Sequence, residues 1–382
     1  MDYRGITMDF TLNDIQQMLK DSASKFIQND YDFERRQHFV KTEMGFNPDN
    51  WSLFAELGWL ALPFQEAYGG LDGNLVDLIV LQTELGKGLV TEPFLSSVVL
   101  GGNVIQRHAN EQQKVLLLEP LICGKLKLAF AGVESHCPLD ITQICTKAEI
   151  VSDGYILTGN KSVVLGASIA DKIVVAARTG GDFGSENGLS LFLVDPQQKG
   201  VRMRGYVNND GGRAADIELD NVHVTTTNLL GEENTAFEAI EMVYNDAIVA
   251  VAAEAVGLME KLLNATVEFT KTRSQFDQTI SKFQVLQHRM ADMFIECEQA
   301  KSMLYYGVIA VAKGGDEADR AAALLKIKVG SSGRLVGQTA VQLHGGMGVS
   351  DELDVGHFFK RLTMINTLFG SHDEHLDWLV KQ

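Results

Sequence analysis

The sequence predicts an α+β multidomain protein with an N-terminal helical domain, a central antiparallel β-barrel and a C-terminal four-helix bundle. Three observations predict it. Helical periodicity runs over about residues 10–121, short β-rich runs without intervening helices fill 122–231, and long helical repeats occupy the remainder. The expected domains are therefore residues 1–121, 122–231 and 232–382. With 382 residues and 45% apolar content the chain has material for two or three cores, which excludes a disulfide- or metal-stapled fold and a disordered chain.

The first block opens with Thr11 as N-cap, followed by Ile15, Met18, Leu19 and Phe26 at helical spacing. Further helices are expected over 51–57, 75–86 and 111–118, separated by turns such as Gly69-Gly70. The second block carries β-rich runs at 128–134, 149–157, 172–177, 189–194 and 215–224, with Asp153-Gly154 as a hairpin signal. Strands at this spacing indicate an antiparallel barrel or sandwich. The third block shows helical segments near 236–273, 282–313, 316–341 and 354–379. Ile248, Val249, Val251, Ala252, Ala255 and Val256 spread around much of one helix, as in a bundle that also forms a subunit interface.

The net charge of −17 opposes non-specific binding to nucleic acid or an anionic membrane, so an anionic ligand must meet a local cationic patch. Cys123, Cys137, Cys145 and Cys297 form no CxxC pair, and the histidines form no HxxxH or HExxH pair, so no metal site is expected. Residues 1–10 lack a basic stretch followed by an apolar core, and the apolar segment 247–259 is short and carries Glu254. A soluble, cytoplasmic protein is expected.

The last third carries the distinctive motifs. Arg273-Ser274-Gln275-Phe276-Asp277 is followed by Phe283-Gln284-Val285-Leu286-Gln287, then by Gln342-Leu343-His344-Gly345-Gly346-Met347-Gly348. Arg273, at a long helix's C-terminal end, is a guanidinium able to fork onto a pyrophosphate or, more plainly, to complement the helix dipole. Gln284 and Gln342 offer amide groups, and Gly345 and Gly346 let backbone N–H groups approach a phosphate. His344-Gly345-Gly346 is equally read as a helix C-cap and turn, and without GxGxxG or a preceding strand it is no Rossmann site.

In order and spacing these pieces resemble the acyl-CoA dehydrogenase family, whose bundle carries R-x-x-F-G, F-Q-x-x-Q and Q-x-x-G-G-x-G. The resemblance extends along the chain through Tyr155-Ile156-Leu157-Thr158-Gly159-Asn160-Lys161 and Asn228-Leu229-Leu230-Gly231. Asp277 stands where the family usually has glycine. The resemblance implies FAD as cofactor, an acyl-CoA thioester as substrate and an electron-transferring flavoprotein as acceptor. It assigns Arg273, Gln275, Phe276, Gln284, Gln342, His344, Gly345 and Gly346 to cofactor binding.

Such an enzyme needs a carboxylate to remove the thioester's α-proton and a flavin N5 to accept the β-hydride. The family's two base positions match Phe369 and Ala247, and neither side chain takes a proton. Asp246 is adjacent to Ala247, but one helical residue turns a side chain by about 100°, so it is read chiefly as an exposed or interface acid and only weakly as a displaced base. Asp373 and Glu374 are similarly weak candidates.

The flavin-facing segments have also diverged. Where the family reads Y-x-V-T-E-P-x-x-G-S-D, this chain reads Phe130-Ala131-Gly132-Val133-Glu134-Ser135-His136-Cys137-Pro138-Leu139-Asp140. Where it reads K-x-W-I-T, this chain reads Lys161-Ser162-Val163-Val164-Leu165, which removes an aromatic wall and a hydroxyl.

Val163-Val164-Leu165-Gly166, Tyr206, Asp210-Gly211, Ala214-Ala215-Asp216 and Leu368-Phe369-Gly370-Ser371 resemble a subgroup that works as α2β2 complexes of two unlike chains. That subgroup is associated with bulky or unusual CoA esters, including steroid side chains and dicarboxylates. The resemblance thus implies the subunit that lacks the base, paired with a related dehydrogenase. The alternatives are a self-sufficient homo-oligomer with a relocated base and a non-catalytic structural or regulatory homologue. Arg361 is a further candidate for a cofactor or CoA phosphate.

Overall fold

Two glycines set how the first block meets the bundle. The first block comprises α1 (Asp14–Asp30), α2 (Phe33–Val40), α3 (Pro48–Glu56), α4 (Leu75–Lys87), α5 (Asn103–His108) and α6 (Glu111–Ile122), with a π-helical stretch over Leu95–Gly102. After the strands, α7 (Phe237–Thr272) lies against α4. A Cβ on Gly86 of α4 would meet the Glu254 carbonyl at 2.4 Å, and one on Gly257 of α7 would meet the Thr83 carbonyl at 1.9 Å. The two backbones approach too closely for a side chain at either position. The computed structural model describes residues 11–135 and 140–382; His136, Cys137, Pro138 and Leu139, quoted above, lie outside the described residues, as do residues 1–10.

Helix α1 starts two residues later than Thr11 implies. The Asn13 side chain accepts from the Gln16 N–H while the Gln16 side chain accepts from the Asn13 N–H, a reciprocal cap that a lone threonine lacks. Phe26 is buried as its spacing requires, whereas Ile15 and Met18 face outward at 71% and 66% exposure. Helix α2 and the π-helical stretch were not anticipated.

The strands are β1 (Leu128–Ala131), β2 (Lys147–Val151), β3 (Gly154–Leu165), β4 (Lys172–Arg178), β5 (Leu189–Val194), β6 (Val201–Val207), β7 (Arg213–Thr225) and β8 (Leu229–Leu230). Asp153-Gly154 closes the β2–β3 hairpin, and β6 was absent from the expectation. The closed antiparallel barrel is not formed. Strand order is β6-β7-β3-β2-β4-β5-β8, with β6 and β8 at the ends, and both β1 and β2 run parallel to β4. The physical reason is reach: β8, at one end, is two residues long and pairs with β5 alone among the described residues, so no ladder joins it to β6 at the other end.

Inside the sheet, Lys161 Nζ donates to Glu134 Oε1 at 2.7 Å, with both side chains buried. The same carboxylate accepts from the Cys145 and Thr146 N–H groups and the Thr146 hydroxyl. Burial alone would raise the Glu134 carboxyl, but Lys161 and the Thr146 bonds outweigh it and hold it below its ordinary value. The pair therefore ties the backbone around Glu134 to β3.

After α7 come a small hairpin of β9 (Ser274–Gln275) and β10 (Gln278–Thr279), then α8 (Gln284–Lys313), α9 (Asp316–His344), α10 (Asp354–Thr367) and α11 (His372–Lys381). Helices α7 to α10 pack as the expected bundle, with α11 against α9. The segment read as one helix over 354–379 is two, because Ser371 and Glu374 form a reciprocal cap that starts α11 afresh. The 247–259 stretch lies within α7, a 36-residue helix long and apolar enough to cross a membrane by length and composition, with 83% of its apolar window buried here.

Replacing Glu134 by Gln leaves Lys161 buried and unpaired, so urea unfolding at neutral pH is expected to show a loss of about 3 kcal/mol. A carboxyl held low in the folded state stabilises above its unfolded value and stops doing so as pH falls through its folded value. The gap between wild type and Glu134→Gln is therefore expected to close on acidification below the ordinary carboxylate range.

Candidate functional site

Arg273 and the glycine turn, some seventy residues apart in sequence, meet at one end of the bundle. The Arg273 N–H bonds to the Phe269 carbonyl at 2.9 Å, ending α7, and the Phe269 ring stacks on His344 with centroids 4.2 Å apart. His344 ends α9 and directly precedes Gly345. Its buried ring donates Nδ1–H to the Ala340 carbonyl at 2.8 Å, so it braces the turn from inside instead of facing a ligand.

Around this brace the remaining candidates are exposed. Arg273, Gln275, Phe276, Gln284, Gln342, Gly345 and Gly346 all face outward. A Cβ at Gly345 or Gly346 would meet nothing within 4 Å, leaving backbone accessible to a bulky polar group. Phe276 and Asp277 form the tip of the β9–β10 hairpin at φ 54° and 63°; thus Asp277 adopts the left-handed turn geometry for which the family uses glycine. Gln284 is the first residue of α8, and Gln287 Nε2 donates to the Ser281 carbonyl at 2.9 Å, pinning that helix start.

The position that the resemblance gives to a base is filled by packed aromatic rings. Phe369 lies in the turn between α10 and α11 at φ 56°, its ring 5.8 Å from Tyr244 of α7, whose ring is 5.9 Å from Phe130 of β1. Three aromatic rings thus run from the sheet to the base position. The Tyr244 hydroxyl is buried without a hydrogen-bond partner among the described residues, and burial pushes its pKa up, away from any use as a base. Lys326 Nζ fixes the turn by donating to the Asn366 and Gly370 carbonyls at 3.0 and 2.8 Å. Ala247 is fully buried in the core on which Tyr244 and Phe369 pack.

Asp246 is not the exposed acid the sequence implied. It is 3% exposed and accepts from Arg107 of α5 at 2.5 Å, although burial still pushes its carboxyl above the ordinary value. Glu374 is engaged in the α11 cap, and Asp373 bonds to His372.

At the sheet's diverged positions, Val163 sits in a bulge of β3 at φ 52°, a conformation that costs a β-branched residue on the order of 1–3 kcal/mol. Asp216 holds it there: one carboxylate oxygen accepts both the Val163 N–H and the Tyr206 hydroxyl at 3.1 Å, and the other accepts from Arg204 at 2.7 Å. Three of the subgroup residues quoted from sequence, Val163, Tyr206 and Asp216, therefore meet at one bulge, which presents a valine where the resemblance implies an aromatic wall.

Arg361 is committed elsewhere. Its guanidinium forks onto both Glu254 oxygens at 2.6 and 2.7 Å and reaches Asp210 at 2.7 Å, so the phosphate role considered for it is not available. Burial opposes its charge, but Glu254 and Asp210 outweigh that and keep it protonated. Sequence reasoning also missed Arg36, Glu92 and Tyr244, because nothing in local spacing marks a helical arginine or tyrosine as facing a distant loop.

The architecture is a helical block, an open mixed sheet and a helical bundle with an exposed polar end. Models of the acyl-CoA dehydrogenase N-terminal, middle and C-terminal domains match residues 13–125, 129–222 and 237–382, and the chain belongs to the acyl-CoA dehydrogenase family. It is similar to a probable acyl-CoA dehydrogenase of Bacillus subtilis, at 29% identity over 92% of this chain and 93% of the relative. Among solved structures it is similar to butyryl-CoA dehydrogenase from Megasphaera elsdenii, at 26% identity and TM-score 0.88 over 98% of this chain and all of the other. A steroid ACAD variant described as Tcur3481-Tcur3483 gives 26% identity and TM-score 0.87 over 97% and 98% of the two chains. The family comprises oxidoreductases acting on CH–CH bonds, and its cofactor is FAD.

A buried hydroxyl without a partner costs about 1–3 kcal/mol. Tyr244→Phe is therefore expected to raise the melting temperature by a few degrees, a change read directly by calorimetry; a lower melting temperature would show that the hydroxyl is satisfied in solution.

Proposed function

We propose that this chain is one subunit of a hetero-oligomeric acyl-CoA dehydrogenase that converts an acyl-CoA to its 2-enoyl-CoA, with base and flavin ring supplied by a related partner chain. The observation that carries this reading is the contrast between the two ends of the chain's own site. The ring-facing end is filled by Phe130, Tyr244 and Phe369, and it does not fit a catalytic flavin ring. The bundle end is open and polar and fits the adenine–pyrophosphate half of FAD.

In this reading Arg273 supplies the cation that the chain's net negative charge makes necessary, and Gly345 and Gly346 supply backbone N–H groups. Gln275, Gln284 and Gln342 supply amides, Phe276 an exposed ring, and His344 holds the turn's shape. When bound, FAD accepts the hydride from the acyl β-carbon. Phe369 and Ala247 exclude water from the chain's own base position and move no proton. A bulky acyl group, an electron-transferring flavoprotein as acceptor and a cytoplasmic setting complete the proposal; the Tcur3481-Tcur3483 similarity supports pairing and a steroid-like acyl class.

Purified alone, the chain is expected to show little absorbance near 450 nm and no dehydrogenation, whereas co-expression with its partner yields both. Arg273→Ala in the complex is expected to lower FAD retention by on the order of tenfold. Stoichiometric flavin and turnover in the isolated chain would overturn the reading, and absence of both complex and flavin would favour the non-catalytic alternative.

A second measurement addresses Asp246. As an ion-pair partner of Arg107, its replacement by Asn is expected to lower stability while leaving the complex's turnover within about threefold; a general base would cost about 100-fold or more.

A further inference from the structure

Helix α2 is tied to the loop that follows the glycine turn. The turn, Gly345–Val349, closes with the Ser350 N–H on the Met347 carbonyl at 3.2 Å, and residues 350–353 lead from there into α10. The first turn of α10 packs against it, since a Cβ on Gly356 would meet the Gly348 carbonyl at 3.2 Å. The next residue, His357, is where α2 engages this assembly. Its side chain is 12% exposed, its ring stands edge-on to Phe33 with centroids 5.1 Å apart, and its Nε2 lies 2.8 Å from Gln37 Nε2. The same Gln37 nitrogen donates to the Asp351 carbonyl at 3.3 Å.

These two contacts fix the protonation state of the ring. A carbonyl only accepts, so the Gln37 atom that faces Asp351 is the amide nitrogen, which only donates. His357 Nε2 is then an acceptor, which requires a neutral imidazole with its proton on Nδ1. A proton on Nε2 would set donor against donor. The Gln37 amide would have to present its oxygen to the ring, and its bond to the Asp351 carbonyl would be lost. The charges around the ring weigh against that proton: burial, Arg36 of α2 and Lys360 of α10 oppose it, and together they hold His357 below the ordinary histidine value. Asp351 favours it, with a carboxylate oxygen 3.8 Å from Nε2, but that oxygen also accepts from Lys360 at 3.2 Å and feels Lys41 at the end of α2.

We propose that Gln37 and His357 are positioning residues of the glycine turn, holding the 350–353 loop and with it the turn in the shape that receives the cofactor's phosphates, and doing so only while His357 is neutral. The inference rests on the reading of that turn as part of the FAD site. A histidine whose value is lower in the held state than in the released one costs nothing at high pH. As pH falls through about 6.5 the released state takes up the proton first and is favoured.

The test uses the full chain, in its complex if that is how it purifies, and reads two quantities between about pH 7.5 and about pH 5, a span that brackets histidine titration. Hydrogen-exchange protection of residues 345–353, corrected for the intrinsic pH dependence of exchange, is expected to fall by on the order of tenfold, and FAD retention in the complex to fall with it. His357→Gln, whose amide oxygen accepts from Gln37 at every pH, is expected to keep the protection and abolish the acid step. Gln37→Met, which cannot donate, is expected to show the lowered protection already at pH 7.5. Residues that only packed would lower the melting temperature in both variants and leave the pH profiles alike. Equal acid steps in wild type and His357→Gln, or no step in wild type, would overturn the proposal. A step in exchange that His357→Gln removes, without any change in FAD retention, would support the tie to α2 and overturn the assignment of the turn to FAD.

Discussion

One arginine ties the molecule together. Arg361 of α10 is clamped by Glu254 of α7 and by Asp210 of the loop before β7, and the Asp210 carbonyl is held in turn by Arg36 of α2, which also reaches Leu89. Bundle, sheet and N-terminal helices are thereby joined through a few half-buried or buried charges. Removing one member of such a cluster strands the others away from water, a cost of about 3–5 kcal/mol. The cluster therefore fixes how the three blocks sit, and everything positioned between them inherits its geometry from it.

That geometry explains why the chain's own reaction site is shut while its far end stays open. With α10 locked against α7, the turn carrying Phe369 is pressed toward Tyr244, and Lys326 beneath it holds the carbonyls that keep the turn's left-handed residue in place. The site is filled by packed rings, whose mutual contacts are themselves favourable. At the other end the Phe269–His344 stack aligns two helix termini without covering them.

The two charged layers also differ in kind. Lys161 and Glu134 are bonded to each other, and Glu134 also to Cys145 and Thr146, and so serve as an internal brace. Arg36 and Glu92 each keep one atom without a partner among the described residues, and both residues line a cavity with aliphatic walls.

The order of helices, strands and helices was legible because each is a local periodicity, and the motifs around Arg273 and Gly345 because their residue types carry chemistry wherever they fall. Phe369 and Ala247, at the positions the resemblance gives to a base, were legible as unable to act as one, since no environment gives a phenyl ring or a methyl group a transferable proton. What could not be read was pairing across distance. Closure of the sheet depended on whether its end strands β6 and β8 could pair, Asp246 turned inward because Arg107 waited on another helix, and Arg361 was taken by Glu254, over a hundred residues away. Side-chain chemistry is written residue by residue, whereas burial and charge partnership exist only once remote segments have packed.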